Sequence, residues 1–175
     1  AVAAAAPLNL PAFGVGAWAW GDRLFWGYDE KQDADLRAGF ETCLQGGVKL
    51  FDTAELYGFG RSEELLGRFI RESGATDVKV ATKFASFPWK LDRSDVVKAC
   101  KGSLKRLGMD AVDLYQIHFP GVWKNEAFWD GLADCYEQGL VKAVGVSNYG
   151  SDAVRAVSKV LAERGIPLAS NQIQD

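Results

Sequence analysis

Four side chains stand at or just beyond the ends of short apolar runs, and together they suit the reduction of a carbonyl group. Asp52 closes the run at 48–51 and Tyr57 follows five residues later; Lys83 ends Val80-Ala81-Thr82; His118, the single histidine, ends the run at 112–117. Carbonyl reduction needs a proton source, a group that tunes it and a donor that clamps the oxygen. Tyr57 is the expected proton donor. A phenol with a pKa of about 10 exchanges protons poorly near neutrality. Lys83 is therefore expected to stabilise its phenolate, Asp52 to hold the ammonium, and His118 to donate to the substrate oxygen.

Each residue also has an ordinary reading. An aspartate after a strand often caps a helix, a lysine often lies along the surface, and a lone histidine is often a satisfied structural residue. Taken singly those readings win. Four together on one face require four coincidences.

Such residues meet only if the fold gathers strand ends. Strand-like runs are expected at 13–18, 48–51, 78–81, 112–117, 141–146 and 168–173. Helical spacing separates them. The first helix covers 33–44 and stops at Gly46-Gly47; the second is expected to start at a Ser62 cap and end at Gly74. Asp92 or Ser94 opens the third, Asn125 the fourth, and Ser151 caps the fifth. The repeating strand–helix–strand order predicts one α/β domain over 1–175, a parallel (β/α) barrel of TIM type that is incomplete, with about six of eight strands. All carboxyl ends of the strands then face one way.

Composition narrows the function. With 175 residues, 48% apolar content and a formal charge of −3, the chain has enough apolar material for a core and no charge excess suited to nucleic acid. No apolar stretch reaches the roughly 20 residues a membrane span needs. Cys43, Cys100 and Cys135 are far apart in sequence and read as buried, reduced thiols. No metal site is expected. Gly14, Gly16 and Ala19 match a dinucleotide fingerprint formally, but Trp18, Trp20 and Gly21 stand where a helix should start, so the segment reads as a barrel strand with tight turns.

On these residues the chain resembles the aldo-keto reductases. The Asp52, Tyr57, Lys83 and His118 spacing matches that family's catalytic tetrad. Gly16-Ala17-Trp18, Gly145-Val146-Ser147-Asn148-Tyr149 and Ser170-Asn171-Gln172 match its strand-end motifs in order, and the wording at 81–84 and 139–149 is most similar to the plant-plastid type. The resemblance implies NADPH-dependent reduction of an aldehyde or ketone. It implies cofactor contacts at Gly16, Trp18, Ser147, Asn148 and Gln172, the last three bonding the nicotinamide carboxamide. Trp18, Trp20, Phe87, Trp89 and Trp123 would then wall the substrate site, their ordinary alternative being packing, and Ser147-Asn148 could be turn residues. A plastid location is implied, with the cytoplasm as the alternative.

The sequence also departs from the family. It stops at Asp175, just past the sixth strand, whereas the resemblance implies eight strands, with the pyrophosphate loop and 2′-phosphate grip in the final portion. Pro7 to Pro11 stands in place of the N-terminal hairpin, and the Ala1–Ala6 run suits either a trimmed start or the remnant of a targeting segment. An open sheet would leave its first and sixth strands unpaired and its inner apolar face uncovered, so a protein partner over those edges is expected. Three readings follow: an active reductase of a small carbonyl substrate, a catalytically silent reductase-derived subunit of a larger plastid assembly, or a binding module for a small hydrophobic ligand.

Overall fold

The computed structural model describes residues 10–173. The Ala1–Ala6 run and Pro7 lie outside them. Six strands alternate with five helices: β1 (Val15–Gly16), α1 (Asp33–Gln45), β2 (Leu50–Asp52), α2 (Arg61–Ser73), β3 (Lys79–Phe84), α3 (Arg93–Leu107), β4 (Leu114–Ile117), α4 (Asn125–Glu137), β5 (Val144–Ser147), α5 (Ser151–Glu163) and β6 (Leu168–Gln172). All pairings are parallel, and the strand order in the sheet is the order in the chain. Sequential order means every crossover adds a strand on the same side, so the helices stay on one face and the sheet curls. A doubly wound sheet would reverse its order part-way. The structure is thus six staves of a barrel.

Two cores follow from the two-residue period of a strand. Val80, Phe84, Tyr115, Ile117, Val144 and Val146 belong to the large core shared with the helices. Ala81, Leu114 and Ala143, with Leu10 and Leu50, form a separate small cluster. The inner face was expected to be an apolar surface. Instead Gln116 crosses it, accepting from Ser170 Oγ at 2.9 Å and donating to Gln172 Oε1 at 3.3 Å. The inner face thus carries a small apolar cluster with a polar group beside it.

Helix boundaries follow local signals in most places. Asp92 is the N-cap of α3, its N–H donating to Asp95 Oδ2 at 3.1 Å, and Gly74 ends α2 in the left-handed conformation. Two expected caps are displaced. Gly60 and Gly150 occupy the N-cap positions of α2 and α5, leaving Ser62 and Ser151 inside the first turns. Ser62 turns inward instead, donating to Ala17 O at 2.8 Å and meeting Thr53 Oγ1 at 2.8 Å.

Candidate active site

Parallel pairing sets the floor of the site. Asp52 is in register with Gly16 and Ala81, Lys83 with Gln116, and Ser147 with Gln172. After β2 the chain makes a tight turn at Tyr57–Gly60. Gly58 has φ of 54°, and a Cβ there would lie 2.5 Å from Gly21 O, so the segments after β1 and β2 touch backbone to backbone. That contact brings Trp18 alongside Tyr57, with ring centroids 6.2 Å apart and planes 28° from parallel.

The four expected residues meet. Lys83, 2% exposed, bonds Asp52 Oδ1 and donates to Thr53 O at 2.9 Å. Its ammonium lies 5.1 Å from the centre of the Tyr57 ring. Tyr57 Oη is 3.4 Å from His118 Nε2, and the two rings stand edge to face. A cavity of about 580 Å³ opens above them, lined by Trp18, Leu24, Phe25, Phe59 and Phe119 among others. It is mainly apolar and aromatic, as a small-molecule site should be.

The aromatic walls were only partly foreseen. Trp18 lies in the cavity wall, but Trp20 is buried in the helix-side core, edge-on to Phe69 at 5.7 Å. Phe87 and Trp89 stack on each other at 4.7 Å, and neither they nor Trp123 line this cavity. Leu24, Phe25 and Phe59 were missed. For Leu24 and Phe25 the signal was a run of large apolar residues between Gly21 and Gly27, and for Phe59 a lone aromatic between Gly58 and Gly60.

The carboxamide set also assembles. Ser147 Oγ and Asn148 N both donate to Gln172 O, at 2.8 and 2.9 Å. Asn148, in the left-handed region with φ of 60°, donates from Nδ2 to His118 O at 3.2 Å. Among the described residues Asn148 Oδ1 and Gln172 Nε2 have no hydrogen-bond partner, leaving one acceptor and one donor on two residues joined through their main chains. That pair complements a primary amide. Gly16 faces a smaller inner cavity beside Asp52 and Gln172, while Trp18 sits against Tyr57, away from the amides. Asn171 was not foreseen: its side chain takes Tyr149 N at 3.3 Å and gives to Tyr149 O at 2.9 Å, clamping the turn that presents Asn148.

Residues 12–174 match the Aldo/keto reductase family. The chain belongs to that family. It is 44% identical over 185 residues to the chloroplastic pyridoxal reductase of Arabidopsis thaliana, covering 96% of this chain and 50% of that protein. To aldo-keto reductase YhdN of Bacillus subtilis it is 35% identical over 162 residues, with coverage of 86% and 48%. Among solved structures, the thermostable aldo-keto reductase Tm1743 with epalrestat superposes with a TM-score of 0.79 at 31% identity, covering 95% of this chain and 58% of that one. A Klebsiella pneumoniae aldo-keto reductase bound to NADPH gives 0.78 at 28% identity, with 95% and 55% covered. The chain spans about half the length of the curated relatives it matches.

In this aldo/keto reductase chain the electrostatics differ from the sequence expectation at one point. Burial, reinforced by the Asp52 charge, pushes the Tyr57 phenol up to about 12. Lys83 was expected to stabilise the phenolate and to be held by Asp52; it bonds Asp52 with its ammonium 5.1 Å from the centre of the Tyr57 ring, yet the phenol is raised rather than lowered. Burial also drives Lys83 down, opposed by Asp52 and more weakly by Glu63. His118 is pushed down to about 4, by burial first and by Lys83 second. Near neutrality the site therefore holds a protonated phenol beside a neutral imidazole, whose buried Nδ1 has no partner among the described residues.

Proposed function

We propose that the chain carries the carbonyl-reducing centre of an NADPH-dependent aldo-keto reductase, with Tyr57 as the proton donor to a small aldehyde or ketone. One observation carries this reading: Tyr57 Oη and His118 Nε2 lie 3.4 Å apart at the base of an apolar cavity, so one carbonyl oxygen can meet both. When bound, NADPH supplies the hydride to the carbonyl carbon. Asn148 and Gln172 suit its carboxamide, with Ser147 bracing them. Neutral His118, with its proton on Nε2, donates to the oxygen and orients it. Tyr57 holds its proton until negative charge builds on that oxygen. The alkoxide forming there is a stronger base than a phenolate, so the proton moves to it even from a phenol near 12. The phenolate left behind faces the Lys83 ammonium.

Similarity to the plant pyridoxal reductase supports an aromatic aldehyde of that size as substrate, and supports a plastid location. The test is NADPH binding and oxidation with pyridoxal or benzaldehyde, beside Tyr57→Phe. Turnover should fall about 10²–10⁴-fold in the variant while NADPH affinity holds. Wild-type protein that binds no NADPH defeats the proposal.

A further inference from the structure

On the helix side of β3, behind the four residues, lies a buried ionic group that the proposed reaction does not use. Glu63, in the first turn of α2, is fully buried. Its Oε1 accepts from Thr82 Oγ1 at 2.6 Å, its Oε2 from Arg106 Nε at 2.6 Å, and Arg106 continues to Ser103 Oγ at 3.2 Å. A carboxylate taken this far from water is retained only if it is fully bonded. Thr82 precedes Lys83 in β3, and successive strand residues face opposite sides. A grip on Thr82 from the helix layer therefore determines where Lys83 emerges on the inner side.

The preceding residue braces the other strand. Ser62 joins Thr53 Oγ1 to Ala17 O, and Thr53 O is the carbonyl that accepts from Lys83 Nζ. Two consecutive residues of α2 thus hold both strands that hold the ammonium.

Charge adds to position. The groups facing Lys83 are Asp52 and Thr53 O at the end of β2, the Tyr57 ring in the following turn, His118 beyond β4, and Glu63 through the sheet. Asp52 and Glu63 are the negative ones. Arg106 compensates Glu63, but its side chain is 28% exposed whereas Glu63 is at 0%. Water screens the cation more than the anion, and the Glu63 charge favours the ammonium form of Lys83.

We propose that Glu63 is a positioning residue for the carbonyl-reducing centre, holding Lys83 in place through Thr82 and in its charged form through a carboxylate on the far face of β3. The consequence for turnover rests on the reductase reading above. The consequence for Lys83 does not.

The test is the titration of the Lys83 side-chain ammonium by NMR in the lysine-labelled chain, with the resonance assigned by Lys83→Arg. Glu63→Gln keeps the size and the acceptor for Thr82 but removes the charge, and should lower the Lys83 midpoint by about one pH unit. Arg106→Gln strips the carboxylate of its cation and should raise it. Both substitutions loosen packing, so shifts of opposite sign separate charge from structure. An unchanged midpoint in Glu63→Gln, or shifts of the same sign in both, overturns the charge role. Should Glu63→Gln fail to fold, the Arg106→Gln midpoint decides alone, a rise supporting the proposal and no rise defeating it. Thr82→Val keeps both charges and removes the grip: kcat should drop about tenfold with the midpoint unmoved, and an unchanged kcat removes the positioning role. Midpoints that diverge in a chain without turnover would sink the reductase reading and leave this one standing.

Discussion

The Asn148 side chain donates to the main-chain oxygen of His118 across 3.2 Å, so the amide-bearing turn after β5 is joined to the residue that follows β4. Asn148 can do this because it sits at φ of 60°, a conformation asparagine tolerates better than most residues. Asn148→Ala should therefore weaken NADPH about tenfold and also raise the KM for aldehyde. Fluorescence titration of NADPH, alongside steady-state kinetics, checks both effects. Weaker cofactor binding with an unchanged KM would show the two turns to be independent.

Lys83 and Asp52 are an ion pair at the centre of the site, the lysine buried and the aspartate 19% exposed. Removing one partner strands the other, which typically costs about 3–5 kcal/mol, whereas removing both together costs less. Lys83→Met should accordingly lower stability in urea by that order, and Asp52→Asn combined with Lys83→Met should recover part of it. A double variant no more stable than the single one would contradict the pairing.

The His118 imidazole has a pKa near 4 in the folded chain against an ordinary 6.5. Between those values the unfolded chain takes up a proton that the folded chain refuses. Stability therefore declines as pH falls from about 6.5 toward 4, with no contribution above that window. Urea midpoints measured across it should fall less steeply for His118→Gln than for wild type. Parallel profiles would mean that the imidazole titrates normally.

Phe59 sits in the cavity wall at φ of 53° and is 79% exposed. A bulky side chain is disfavoured there by about 1 kcal/mol or more, and little burial offsets it. Phe59→Asn should raise thermal stability by about that amount while raising the KM for aromatic aldehydes. A loss of stability would show that the ring's contacts outweigh the backbone cost.

Much of this was legible in the sequence. Strand and helix periods are local, so the sixfold alternation and the strand-end positions of Asp52, Lys83, His118, Ser147 and Gln172 could be read without coordinates. The matches were poorest where a residue's task depends on distant neighbours. Ser62 looked like a helix cap, yet Gly60 takes that place because the turn before it runs left-handed against Gly21, freeing the serine for Ala17 and Thr53. Trp20 looked like a site wall until the closeness of Phe51 and Phe69 drew it inward.

The sequence by itself determined the fold class and which polar groups stand at the strand ends, because the two-residue period of a strand decides which side chains leave it on the inner side. Only the tertiary structure decided their ionisation. A phenol near 12, a depressed imidazole and a carboxylate acting from behind β3 depend on burial and on charges from separate segments, and neither quantity exists until the helices pack against the sheet.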